Sequence, residues 1–231
     1  PHGLQLLRDA SREGLTLCFP GVGSAFARKN NPTCLIIAKD GRTILVDAGT
    51  SIPGALETRG ISITDFDYYH VTHSHADHIG GLEELLLYGH YVLKKKPQMI
   101  LTETYRDLLW DRSLRGGCEH AVGGALGFDD LAEFVVPDQV ATEPRELYEV
   151  EVEGIRLTIF RTVHIPTGED NTPSAFWSTG LLIDGRLLFT ADTRFDPALF
   201  EQLPMDGVDT IFHDCQLYEP CLLYTSDAAD D

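Results

Sequence analysis

Three histidines and an aspartate crowd into the heptapeptide Thr72-His-Ser-His-Ala-Asp-His78, a density of metal-type side chains that packing alone does not require. His73 and His75 stand two apart, so in an extended segment their rings point to the same side. Asp77 and His78 follow at once, and Gly80-Gly81 lets the chain turn with no side chain in the way. Imidazole and carboxylate together suit zinc, iron or manganese, and residue type alone does not choose among them. The chemistry such a cluster supports is hydrolysis by water activated on a divalent metal.

The flanking elements must hold this cluster in place. Residues 65–71 are rich in β-branched and aromatic side chains and predict a strand, while residues 82–96 carry apolar residues at helical spacing. The cluster therefore falls on a strand-to-helix turn. Strands are expected over 15–20, 34–38, 43–46, 99–102, 155–163, 180–183, 187–190 and 210–212, with an alternating strand over 148–152. Asp40-Gly41 and Asp184-Gly185 read as hairpin turns. Short helices are expected over 54–59, 104–114, 128–134 and 197–203, with a loop at Gly116-Gly117. Strands with interspersed helices in both halves predict a layered α/β sandwich forming one domain. Three further residues follow predicted strands at positions able to supply metal ligands or acid–base groups: His164, Asp192 and His213. His70 alternates with Thr72 and is read as a core or supporting residue, and His90 and His120 as surface or interface residues.

The 231 residues carry a formal charge of −18, which argues against a broad nucleic-acid footprint because phosphate binding needs clustered Lys and Arg. The one basic run, Lys94-Lys95-Lys96, ends a predicted helix, where cations complement the dipole. No apolar run approaches the roughly 18–20 residues that cross a bilayer, and the five cysteines show no disulfide-scaffold spacing, so a cytoplasmic setting is expected. Residues 221–231 resemble the translation of a sequencing adapter. On that reading residues 1–14 are an N-terminal extension, 15–220 the folded domain and 221–231 a non-native tail, the natural sequence is cut at Pro220, and the charge without Asp227, Asp230 and Asp231 is −15.

His73-Ser-His75-Ala-Asp77-His78 followed by His164 and Asp192 resembles the motif series of the metallo-β-lactamase superfamily, and Val46-Asp47-Ala48-Gly49 resembles its early strand-end motif. The resemblance implies an αββα sandwich, C-terminally truncated here, with two divalent metal ions, zinc or manganese. It implies that His73, His75 and His164 hold one metal, that Asp77 and His78 hold the second, and that Asp192 bridges both. Asp47 matches a position that supports the ligand loop without touching metal. The family pattern has one more histidine after the His213 segment, and residues 214–231 supply none, so the second site is expected to be incomplete.

Pro20-Gly-Val-Gly-Ser24 and its continuation to Asn31 look like the opening loop of the phosphodiesterase and ribonuclease Z branch. His78-Ile-Gly-Gly-Leu-Glu-Glu84 and Leu109-Trp-Asp-Arg-Ser-Leu-Arg-Gly-Gly117 resemble the cyclic-nucleotide phosphodiesterases of the anti-Pycsar group, which serve evasion of anti-phage defence. The resemblance implies hydrolysis of 3′,5′-cyclic nucleotides, cyclic pyrimidine nucleotides among them, by a metal-bridging hydroxide oriented by Asp77. It implies a homodimer with residues 86–117 near the interface. His213, in Phe212-His-Asp-Cys-Gln216, resembles a proton donor of the ribonuclease Z relatives, with a structural hydrogen-bonding role as the alternative. Two other functions stay open: a ribonuclease Z-like tRNA 3′-processing endonuclease, and an inactive metal-binding module lacking its last ligand. A small substrate with one phosphate charge suits an acidic chain better than an extended polyanion does.

Overall fold

A computed structural model describes residues 2–27, 29–165 and 176–215. These group into two compact units that divide between Val136 and Pro137. Each is built on a six-stranded sheet, and the α/β class expected from the sequence is what the chain adopts.

The first sheet runs in the order Thr16–Gly21, Cys34–Lys39, Arg42–Val46, Tyr68–His70, Gln98–Ile100, Glu133–Val135. Its first three strands are antiparallel. Asp40 and Gly41 both take positive φ (51° and 80°), the geometry of a tight hairpin turn whose twist matches the strands. Residues 34–38 and 43–46 are all buried, so these strands read as continuous apolar runs covered on both faces. From Arg42–Val46 onward the pairing is parallel. The carboxyl ends of three of these strands then release Asp47, the 71–78 turn and Leu101 at one edge, the end at which open α/β sheets characteristically place ligands.

The long helix expected over 82–96 is α-helical only over Leu82–Tyr88. It widens into a π turn at Gly89–Leu93 and stops at Lys94, whose left-handed backbone (φ 53°) closes it. Thr102 caps the helix Glu103–Leu109, its hydroxyl accepting from the Tyr105 amide at 3.3 Å. Two expectations fail here. Gly116-Gly117 lies in a helical turn, Arg115–Cys118, rather than a loop. Gly117 rests against the Glu83 carboxylate, which would have to swing aside for a side chain there. The helix expected over 128–134 extends only to Leu131, because Glu133–Val135 pairs with Gln98–Ile100 and so extends the sheet.

The second sheet runs Thr210–Phe212, Leu187–Phe189, Thr179–Ile183, Ile155–Arg161, Leu147–Val152, Asp138–Ala141. Only the pairing of Leu187–Phe189 with Thr210–Phe212 is parallel. Glu153-Gly154 and Asp184-Gly185 form its two hairpin turns, all four residues at positive φ. Phe160, Leu182, Leu188, Leu199 and Leu203 pack together on one face. The helix expected near 197–203 is a single 3₁₀ turn, Phe200–Gln202. Below it, the buried Arg145 guanidinium donates to the Asp196 carboxylate at 2.6 Å and to the Arg161 carbonyl at 2.7 Å, joining the start of one strand to the loop that follows Asp192. The suspected adapter stretch, 221–231, lies outside the described residues. None of the described helices is long and apolar enough to cross a membrane.

Candidate metal centre

In the first unit, Tyr68–His70 delivers His73 and His75 just beyond the sheet edge, and the helical turn Ala76–Ile79 carries Asp77 and His78. His73 and His78 are buried, while His75 and Asp77 are partly exposed. The His73 and His78 ring centroids lie 3.9 Å apart, and those of His73 and His75 4.7 Å apart.

Asp47 organises this turn. One carboxylate oxygen accepts the Thr72 amide at 2.8 Å. The other accepts the Thr72 hydroxyl at 2.7 Å and lies 2.7 Å from His78 Nδ1. The residue is buried and takes φ 61°, a strained backbone for a side-chain-bearing residue and one that surrounding structure must enforce. Thr72 heads the heptapeptide, but nothing in the sequence assigns its hydroxyl a role. Its signal, a buried β-branched hydroxyl one residue before the histidines, is indistinguishable there from an ordinary strand residue.

Counting protons gives the histidine tautomers. The single Thr72 hydroxyl hydrogen goes to Asp47, so at 3.1 Å His73 Nδ1 is the donor to Thr72 Oγ1. His73 Nε2 then presents its lone pair 3.1 Å from His75 Nδ1. His78 Nδ1 donates to Asp47, so Nε2 presents its lone pair 3.3 Å from the Asp77 carboxylate. Two acceptors turned toward each other at that distance need a proton or a metal cation between them. This donor set can take a divalent metal ion, and Asp47 stands where an outer carboxylate would fix the ring of a ligating histidine.

Two close approaches stiffen the turn. Gly49 passes so near the Asp77 carbonyl that no Cβ fits between them. The Ser74 hydroxyl lies 3.0 Å from the hydroxyl of Tyr105, whose burial pushes its pKa up and keeps it neutral. Beneath the turn His70 is buried, its Nδ1 donating to the Ile100 carbonyl at 2.9 Å, and burial lowers its pKa. That fits the core or supporting role read from its alternation.

In the second unit, His164 follows the strand Ile155–Arg161, and Asp192 follows Leu187–Phe189 after Ala191, which is held at φ 49°. His164 Nε2 and an Asp192 carboxylate oxygen stand 3.7 Å apart. His213 follows Thr210–Phe212, with Nδ1 3.2 Å from the Thr190 hydroxyl, which also accepts the Asp214 amide at 3.1 Å. Partial burial lowers the pKa of His213.

Solved structures share this architecture. The metallo-β-lactamase fold protein YhfI from Bacillus subtilis aligns with a TM-score of 0.61 at 14% identity, covering 89% of this chain and 72% of that one. A diphosphatase from the PhnP family aligns at 0.59 and 16% identity, covering 92% and 78%. Human tRNase Z, short form, aligns at 0.51 and 19%, covering 80% and 73%. The fold is thus that of the metallo-β-lactamase class.

Sequence carries the assignment further. The profile of the family described as Anti-Pycsar protein Apyc1 matches residues 15–225. The Anti-Pycsar protein Apyc1 of Paenibacillus harenae is 36% identical over 210 residues, which span 89% of this chain and 79% of that protein. Its namesake from Bacillus phage vB_BsuM-Goe3 is 32% identical over 206 residues, 87% and 76%. The chain belongs to the Anti-Pycsar Apyc1 family. It is a metallo-hydrolase of phosphodiesterase type.

Proposed function

We propose that the protein hydrolyses 3′,5′-cyclic nucleotides, cyclic pyrimidine nucleotides among them, to nucleoside monophosphates, and so relieves anti-phage signalling in the bacterial cytoplasm. Membership of the Anti-Pycsar family carries this reading. The acidic chain supports it, since one phosphate charge is locally neutralised by two divalent ions whereas a long polyanion meets a net charge of −18.

On this reading His73, His75 and His164 hold one metal, Asp77 and His78 the other, and Asp192 serves both. Zinc is the first choice and manganese the second, as the resemblance to the superfamily implies. The metals, when bound, supply charge neutralisation at the phosphate and a nucleophile at neutral pH. The protein's own groups do the rest. Asp47 fixes the His78 ring, Asp77 orients the attacking water, and His213 delivers a proton to the ribose oxygen as its bond to phosphorus breaks. A homodimer is part of the proposal, supported by Tyr88, Tyr91, Val92 and Leu93, which are 42–57% exposed within the 86–117 segment.

The test is incubation of Zn²⁺- or Mn²⁺-loaded protein with 3′,5′-cyclic CMP, UMP, AMP and GMP, beside a pre-tRNA bearing a 3′ trailer. Turnover of a cyclic nucleotide, lost in Asp77→Ala, is the expected result. Trailer cleavage without cyclic-nucleotide turnover would transfer the protein to the tRNA-processing class. Metal binding with neither activity would make it a binding module.

A further inference from the structure

The first sheet has a concave site at the end opposite to the His73–His78 turn. A cavity of about 650 Å³ opens where the parallel strands begin, and Tyr68, Gln98 and Glu133, each the first residue of its strand, line it. This volume falls within the roughly 300–1,000 Å³ of small-molecule sites. Phe66, Leu85 and Pro97 give it a buried apolar floor.

Its charge is opposite to that of the chain. Arg42, Lys94, Lys95 and Lys96 line it against two acids, Asp67 and Glu133, an excess of two positive charges on a protein of net charge −18. Both acids are already engaged. Asp67 accepts from Arg8 at 3.0 Å and from the Thr43 amide and hydroxyl at 2.9 and 2.8 Å, and Glu133 accepts from Gln98. Lys96 donates to the Asp129 carbonyl at 2.7 Å. Among the described residues, neither Lys94 nor Lys95 forms an ion pair.

The backbone holds these lysines together although like charges repel. The π turn Gly89–Leu93 ends in Lys94 at φ 53°, and the Lys95 amide donates back to the Gly89 carbonyl at 3.1 Å. A Cβ on Gly89 would come within 2.7 Å of the Lys95 carbonyl oxygen, so the glycine is what lets the lysine turn fold against the helix end. Lys94 closes the helix in a left-handed conformation, and the turn sets its cations at the mouth of the cavity.

We propose that this cavity binds a phosphate-bearing small molecule of mononucleotide size. The phosphate dianion sits between the Lys94 and Lys95 ammonium groups, and the ring lies against Tyr68 over the apolar floor. A phosphomonoester carries the two negative charges that the lining lacks, and each ammonium supplies a charge-assisted hydrogen bond.

Calorimetric titration tests this on the metal-loaded full chain and on the Lys94→Gly/Lys95→Gln variant, with cytidine 5′-monophosphate and inorganic phosphate as probes. Glycine at position 94 suits the left-handed backbone, and an unchanged melting temperature checks that the variant is folded. Phosphate binding at the metals is common to both proteins, so the lysine-dependent part reports the cavity. The nucleotide is expected to bind the variant at least about tenfold more weakly at this site. That binding should weaken further as salt rises from about 50 to about 200 mM. Equal affinity of the two proteins, or no lysine-dependent binding of either probe up to about 5 mM, overturns the proposal. Inorganic phosphate binding as tightly as the nucleotide overturns the assignment of a ring-bearing ligand. The readout is binding alone, so it stands or falls separately from cyclic-nucleotide turnover.

Discussion

The Asp47 carboxylate lies 2.7 Å from Nδ1 of His78 across 31 residues of sequence, and both side chains are buried. That contact aims the Nε2 lone pair at the position shared with Asp77. Asp47→Asn can present its amide nitrogen where an acceptor is needed, and it loses the carboxylate charge. Metal affinity is expected to fall roughly 10- to 100-fold, with the overall fold retained. Chelator competition monitored by metal content, with circular dichroism as the control for folding, checks this.

Gly49 tests the same turn from the backbone side. A methyl group at position 49 would collide with the Asp77 carbonyl and move the loop that carries Asp77 and His78. Gly49→Ala should cost about 1–3 kcal/mol of stability, as overpacking typically does, and lower turnover by more than it lowers stability. Urea unfolding and steady-state kinetics on the same preparation separate the two effects.

His213 makes a pH prediction. Partial burial lowers its pKa below the ordinary 6.5. A proton donor must be protonated, so its contribution to turnover is present at low pH and is lost as pH rises through that lowered value. A pH–kcat profile is expected to show a declining limb below pH 6.5 that His213→Gln abolishes. A profile identical in the two proteins would leave His213 with the structural role alone.

His70 makes a stability prediction of definite sign. Its pKa is lowered from 6.5 chiefly by burial, so the unfolded chain binds a proton more readily than the folded one. The stability it contributes is fully present above the unfolded value of 6.5 and is lost as pH falls below it, with a slope of up to about 1.4 kcal/mol per pH unit. Denaturant melts between about pH 5 and pH 8 should show this slope in the wild type and a shallower one in His70→Gln, whose amide can still donate to the Ile100 carbonyl.

Much of the fold was legible locally. The hairpins at Asp40-Gly41 and Asp184-Gly185 follow from residues that tolerate positive φ between two apolar runs, and both form as expected. Where local pattern failed at residues 133–135, a distant partner had intervened. Glu133 and Phe134 continue a helical reading from Phe128 equally well, and pairing with Gln98–Ile100 makes Glu133–Val135 a strand. Gly116-Gly117 reads as a loop, yet it is carried in the helical turn Arg115–Cys118, which follows directly on the π turn Trp110–Leu114.

For the site, the sequence alone determined donor identity: three imidazoles and a carboxylate within six residues, with His164, Asp192 and His213 after later strands, the pattern that also sets the fold class. Tertiary structure decided which ring atom His73 and His78 present. That choice depends on Asp47 meeting Thr72 and His78 across 25 and 31 residues, and on one hydroxyl hydrogen having one place to go. It also decided that Lys94–Lys96, in sequence a cationic helix end, lines a cavity. Spacing along a chain shows which groups are near in sequence, but proton direction and cavity lining arise only when separate strands bring their ends together.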